Sequence, residues 1–314
     1  MYSKRTWSDY RGFVRRKRLM VAAAVVLVAA LVAAGSVSLA GKLRGRTRVT
    51  RRELMQYWDA GSFGQVYSQS QAALATRPMD YFLLTMHGFA AYQLGVSQIN
   101  SLDASQYFED CVWSLRKAML LRNSAGDGRL YYVLGKAYSY KGDSFADLSV
   151  KYLERARDLS FVGADIPQYL GMSYAVIGNY RSSVAAYSEA LGAEEALGPS
   201  SLLLLSIARS YLALDEFEMA RAYLQRCVEV SRDSRTILSA RLLLAEALRK
   251  AGDNAGAAQQ LQAILDEVGD NAEAHFQLGE LYALQGDTSR ARAAWRLALR
   301  ADPAHIMART RLSI

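Results

Sequence analysis

The sequence predicts an all-α chain, a solenoid of about seven helix-turn-helix repeats preceded by one transmembrane helix. Three observations predict it. A Leu-Gly-x-x-Tyr pattern, intact or degenerate, returns about every 34 residues after Thr47. Half the residues (51%) are hydrophobic and only four are proline, which favours helices over a β-rich fold. A run of 22 residues, Leu19 to Ala40, carries no charge.

The elements follow in chain order. Residues 1–18 form a basic tail with Lys4, Arg5, Arg11, Arg15, Arg16, Lys17 and Arg18. The run 19–40 would span about 33 Å as a helix, enough for a hydrocarbon core of roughly 30 Å. It exceeds the core of about 7–15 residues usual in a signal peptide, and six bases follow it in the linker 41–52. An uncleaved anchor is therefore expected, with cleavage after Ala40 as the alternative. Seven bases precede the run and six follow it, close to a tie under the positive-inside rule. Because the first cluster abuts the run, the N-terminus is expected in the cytoplasm and the repeats on the extracytoplasmic side.

The net charge of +8 is concentrated in this segment. Residues 1–52 hold thirteen of the 38 bases and one of the 30 acids, leaving 25 bases and 29 acids beyond. A nucleic-acid binder should carry its basic patch on the folded domain, so no nucleic-acid partner is expected. The two cysteines, Cys111 and Cys227, show no metal-binding spacing and fall at packing positions.

The clearest repeat is Ala272–His305, with Leu278, Gly279, Tyr282, Gly286, Ala291, Trp295, Ala298 and Pro303. These residues resemble the tetratricopeptide repeat (TPR) closely; only His275 departs, standing where the family prefers a large residue. Small Gly279 and Ala291 let two antiparallel helices approach, Gly286 suits a left-handed helix end, and Pro303 stops the second helix. Six further copies start near 47, 81, 128, 164, 201 and 238, so that the solenoid covers 47–305. The copy at 81 carries Gly88, Ala91, Gly95 and Ala118 and an insertion, Val96–Gln106. The copy at 128 carries Leu134, Gly135 and Tyr138, with about two residues inserted between its helices. The tail 306–314 is too short for a full capping helix, so the last repeat is left exposed, covered by this tail, or packed against a partner.

In the resembled family the first helix of each pair lines a concave groove. In the copy at 81, Leu84, His87, Gly88 and Ala91 form the packing stripe, and Phe82, Thr85, Phe89 and Tyr92 are expected to face the groove. The same offsets give Arg129, Tyr132, Lys136 and Tyr140, then Gln168, Tyr169 and Met172. Later copies give Arg209, then Glu246 and Arg249, then Phe276 and Glu280. Aromatics, Met and Arg are what protein interfaces select; equally, each aromatic could pack against its neighbouring repeat. The candidate peptide-binding residues are thus Phe82, Phe89, Tyr92, Tyr132, Lys136, Tyr140, Tyr169, Met172, Arg209 and Arg249. The Lys/Asn carboxylate clamp of chaperone-binding TPR domains is absent from the equivalent positions.

No catalytic motif, phosphate loop or dinucleotide fingerprint occurs, and His87, His275 and His305 have no partner at metal spacing. No enzyme activity, cofactor or metal is expected. The expected role is a membrane-anchored scaffold that binds other proteins or peptides in cell-envelope assembly, with self-association possible at the C-terminal end. A chaperone-like accessory for unfolded clients and a regulatory subunit of a membrane enzyme fit the same residues.

Overall fold

The computed structural model describes residues 49–121, 126–194 and 198–313. The predicted membrane span Leu19–Ala40 and its basic flank on the N-terminal side lie outside the described residues. Among the described residues, no helix is long and apolar enough to cross a membrane.

Fifteen α-helices and no strand occur among the described residues. They pair as α1 (Arg51–Asp59) with α2 (Phe63–Leu74), α3 (Tyr81–Ser97) with α4 (Ser101–Ala118), and α5 (Gly128–Tyr140) with α6 (Ala146–Asp158). Next come α7 (Ile166–Val176) with α8 (Tyr180–Glu194), α9 (Ser201–Ala213) with α10 (Phe217–Val230), and α11 (Ser234–Lys250) with α12 (Asn254–Val268). The last pair is α13 (Ala272–Leu284) with α14 (Thr288–Ala301), followed by a single helix, α15 (Ile306–Ser313). Each helix packs on the next in sequence, and consecutive first helices from α3 to α13 also touch one another. Consecutive second helices approach less closely, so the array curves with its first helices inside.

Local sequence explains where helices begin. Thr50 and Glu53 form a reciprocal capping box, with Thr50 N donating to Glu53 Oε2 at 2.7 Å and Glu53 N to Thr50 Oγ1 at 3.2 Å. The last residues of the expected linker 41–52 are therefore already helical. Asp80, Asp127, Asp233, Asp253, Asn271 and Asp287 each accept a backbone N–H from the first turn that follows. Within each hairpin the helices meet at small residues. A Cβ added to Gly171 would sit 2.6 Å from the Tyr187 ring, so only glycine permits that approach.

The expected insertion Val96–Gln106 is mostly helix. α3 runs through Ser97 and α4 starts at Ser101, so the hairpin is lengthened at its tip, where Ile99 and Leu102 are exposed. The extra residues of the third pair form a short 3-10 turn, Asp143–Phe145. The tail is also more ordered than its length suggested. α15 covers the last pair, with Ala308 fully buried and Leu312 packed beside Phe276 and Trp295. Arg311 makes the reach possible, donating to both oxygens of Glu280 at 2.9 and 2.7 Å.

Both cysteines are free and buried, and burial raises both thiol pKa values. Among the described residues no group of His, Cys, Asp or Glu could hold a metal ion.

Candidate functional site

The groove face of α3 is covered. Phe89 and Tyr92 are only 8% and 7% exposed, and Thr85 is buried as well. The expectation that they stand open in the groove is corrected by their neighbours. Trp58 of α1 lies 6.4 Å from Phe89, and the Arg51 guanidinium sits 4.5 Å above the half-buried Phe82 ring. Tyr92 is closed over by Tyr140, whose ring centroid lies 6.1 Å away, and by Lys136, 5.4 Å from its ring.

Lys136 is the centre of a polar knot within this aromatic layer. Its Nζ donates to Asp165 Oδ2 at 2.6 Å and to Tyr132 Oη at 3.0 Å, while Tyr132 donates to Asp165 Oδ1 at 2.7 Å. The ammonium also lies 4.9 Å from the Tyr132 ring and 4.7 Å from the Tyr169 ring. Burial on its own would lower the Lys136 pKa. Its hydrogen bonds to Asp165 and Tyr132 outweigh that, and the net direction is upward. Burial raises the pKa of Tyr92, Tyr132 and Tyr169, so the ring hydroxyls stay neutral around a charged ammonium. Lys136 is thus occupied by its own chain, which joins the third repeat to the start of the fourth.

Beyond this knot several first-helix side chains are exposed. Tyr140 is 45% exposed and shares a 3.0 Å hydrogen bond with the Tyr169 hydroxyl; Met172 is 40% exposed. Val176, one turn on, and Leu202 on α9 are exposed too, and Arg129 and Arg209 stand in solvent while Arg249 is half-buried. At the C-terminal end Phe276 is buried against the His305 ring, 5.0 Å away, and Glu280 is held by Arg311. Of the ten candidates, Tyr140, Met172 and Arg209 are exposed, Phe82, Tyr132, Tyr169 and Arg249 are half-buried, and Phe89, Tyr92 and Lys136 are buried.

One feature of the outer face has no motif behind it. A cleft of about 530 Å³ opens between α2 and α4, lined among others by Leu74, Pro78, His87, Asp110, Trp113 and Lys117. His87 contacts Ser114 Oγ through Nδ1 at 2.8 Å and stacks on Tyr67 with centroids 4.6 Å apart, while its buried Nε2 has no partner among the described residues. Burial lowers its pKa, outweighing the attraction of Asp110. Trp113, 57% exposed on α4, was legible only as one more apolar residue.

Family models described as tetratricopeptide repeat match residues 203–234 and 242–306. No curated protein matches the chain. Among solved structures, it is similar to the C-terminal part of a TPR repeat-containing protein from Cytophaga hutchinsonii. That likeness has a TM-score of 0.57 and 14% identity, covering 84% of this chain and 99% of the other. It is also similar to PilW, a widely conserved type IV pilus biogenesis factor, with a TM-score of 0.53 and 17% identity over 72% of this chain and 98% of the other. At these identities the likeness is one of fold. Residues 203–234 and 242–306 thus carry tetratricopeptide repeats by sequence, and the described residues as a whole form an all-helical TPR-like solenoid.

Proposed function

We propose that the protein is a membrane-anchored scaffold at the cell envelope that binds partner proteins or peptides in the concave groove of its repeats. The observation that carries this reading is a set of apolar side chains left exposed on consecutive first helices, Tyr140, Met172, Val176 and Leu202, with Arg209 exposed beside them in sequence. Exposed aromatic and Met side chains beside arginine, on a concave surface, have the composition of interface centres. The buried rings packed on Tyr140, Tyr92 and Phe108, hold it in place and reduce the ordering that binding requires. Membrane attachment rests on the uncharged run Leu19–Ala40 between two basic clusters. The same clusters favour the cytoplasmic N-terminus and extracytoplasmic repeats. No feature of the groove supplies a nucleophile with its base, and the proposed role is non-catalytic.

The test is site-specific photocrosslinking in membranes from position 140, with the same probe at position 113 on the outer face as control. One discrete product from position 140, lost in Met172→Glu, is expected. A broad smear of products would favour binding of unfolded clients. Absence of any product from position 140, with the protein present in the membrane fraction, would overturn the groove reading. Recovery of the chain in the soluble fraction would overturn the anchor.

A further inference from the structure

The inner face is charged in a way the whole domain is not. Beyond residue 52 acids outnumber bases by 29 to 25. From α5 to α13, however, every carboxylate at the groove-facing offsets is already engaged by the chain itself. Asp165 pairs with Lys136 at 2.6 Å, Glu246 with Lys250 at 3.1 Å, and Glu280 with Arg311 at 2.7 Å, while Glu273 contacts His305 at 3.3 Å. Among the described residues, the arginines at those offsets, Arg129, Arg209 and Arg249, have no carboxylate within ion-pair distance, unlike Arg241, which meets Glu267 at 3.0 Å. The groove therefore presents uncompensated guanidinium groups with apolar side chains between them.

We infer that the groove takes an extended, acidic segment of a partner protein, its carboxylates on Arg129, Arg209 and Arg249 and its apolar side chains on Tyr140, Met172 and Leu202. This rests on the groove reading above and adds the chemistry of the ligand. Guanidinium forks match carboxylates in bidentate geometry, and a curved surface lined by one sign of charge steers the opposite sign toward it. Exposed apolar groups between the arginines favour a polypeptide over a purely anionic surface, because they require side chains of their own to cover them. Packed helices lie about 8–10 Å apart and an extended chain advances about 3.3 Å per residue. A segment reaching from α5 to α11 thus needs about nine residues, and carboxylates serving Arg209 and Arg249 stand about three residues apart.

The experiment selects displayed random 12-residue peptides on the full chain in detergent micelles and measures the affinity of synthetic copies. The expected result is an excess of Asp and Glu over Lys and Arg in the selected peptides. Affinity should fall tenfold or more in Arg209→Glu/Arg249→Glu and fall steeply with salt. Arg209→Gln, a milder change at an exposed position, should fold as the parent does and weaken binding severalfold. Peptides lost in Met172→Glu but with no acidic excess, and indifferent to both arginine variants, would overturn the acidic ligand and leave the groove reading standing. Peptides indifferent to Met172→Glu as well would overturn both.

Discussion

Asp165 ties two repeats together through Lys136: its Oδ2 accepts from the Lys136 ammonium at 2.6 Å, and its Oδ1 from Tyr132 at 2.7 Å. The pair is asymmetric, because the lysine side chain is 11% exposed and the aspartate side chain 35%. Removing the carboxylate strands a charge that water reaches poorly; removing the ammonium leaves a carboxylate that can resolvate. Asp165→Ala should therefore destabilise by about 2–3 kcal/mol and Lys136→Met by about 1 kcal/mol. The double variant should lose less than the sum, as partners in one network do. Urea unfolding followed by circular dichroism checks all three, and equal single losses would contradict the asymmetry.

His87 gives a pH dependence whose sign follows from burial. Its folded pKa lies below 6.5, so between the two values the unfolded chain binds more protons than the folded one. Stability should fall as pH drops below about 6.5 and level off once the folded value is passed. His87→Gln removes the titration while keeping a polar contact for Ser114. The difference in urea midpoint between pH 7.5 and pH 5 should be smaller in the variant than in the parent. An identical pH slope in both would show that His87 does not contribute.

Asp215 occupies the turn of the fifth hairpin with φ +57, where the corresponding turns use Gly178, Gly252 and Gly286 at +78, +90 and +79. Any Cβ is disfavoured there. Asp215→Gly should be more stable than Asp215→Ala by about 1 kcal/mol. Thermal unfolding of the two variants ranks them, and the reverse order would contradict a backbone origin.

Deleting residues 306–314 should cost about 2–3 kcal/mol, since Leu312 and Ala308 leave and Phe276 and Trp295 meet water. Light scattering should also show increased association of the shortened chain, because the uncovered patch is apolar and contiguous. A shortened chain that is as stable and as dispersed as the parent would show that α15 is ornamental.

The hairpins were legible because close helix approach demands small residues at fixed intervals, and Gly171, Gly279 and Ala291 announce it. Periodicity also named the offsets of a first helix expected on the inner face, Phe89 and Tyr92 among them. It could not say how near the next first helix stands. That distance decides whether Tyr92 and Lys136 reach across to a neighbour or remain open to a ligand, and in the structure both reach across. Arg249 and Arg209 sit at the same kind of offset with no acid opposite, a difference visible only when the two sides are brought together. The cleft beside His87 left no mark in the sequence, because its walls come from two different hairpins and Trp113 obeys no repeat rule. The tail was underestimated for a related reason. Eight residues are few for an isolated helix, but Arg311 and Leu312 have a finished surface to settle on.

Helix α15 also changes what the last hairpin offers to its surroundings. A stack of identical hairpins has no intrinsic end, since each unit offers the following one the same seat it was itself given. Here the seat after α14 is filled by the chain's own final turns, with Arg311 locked to Glu280 and Leu312 against the last pair. A further hairpin would have to displace α15 to reach Phe276 and Trp295, so the apolar face that stacking would use is already covered from within.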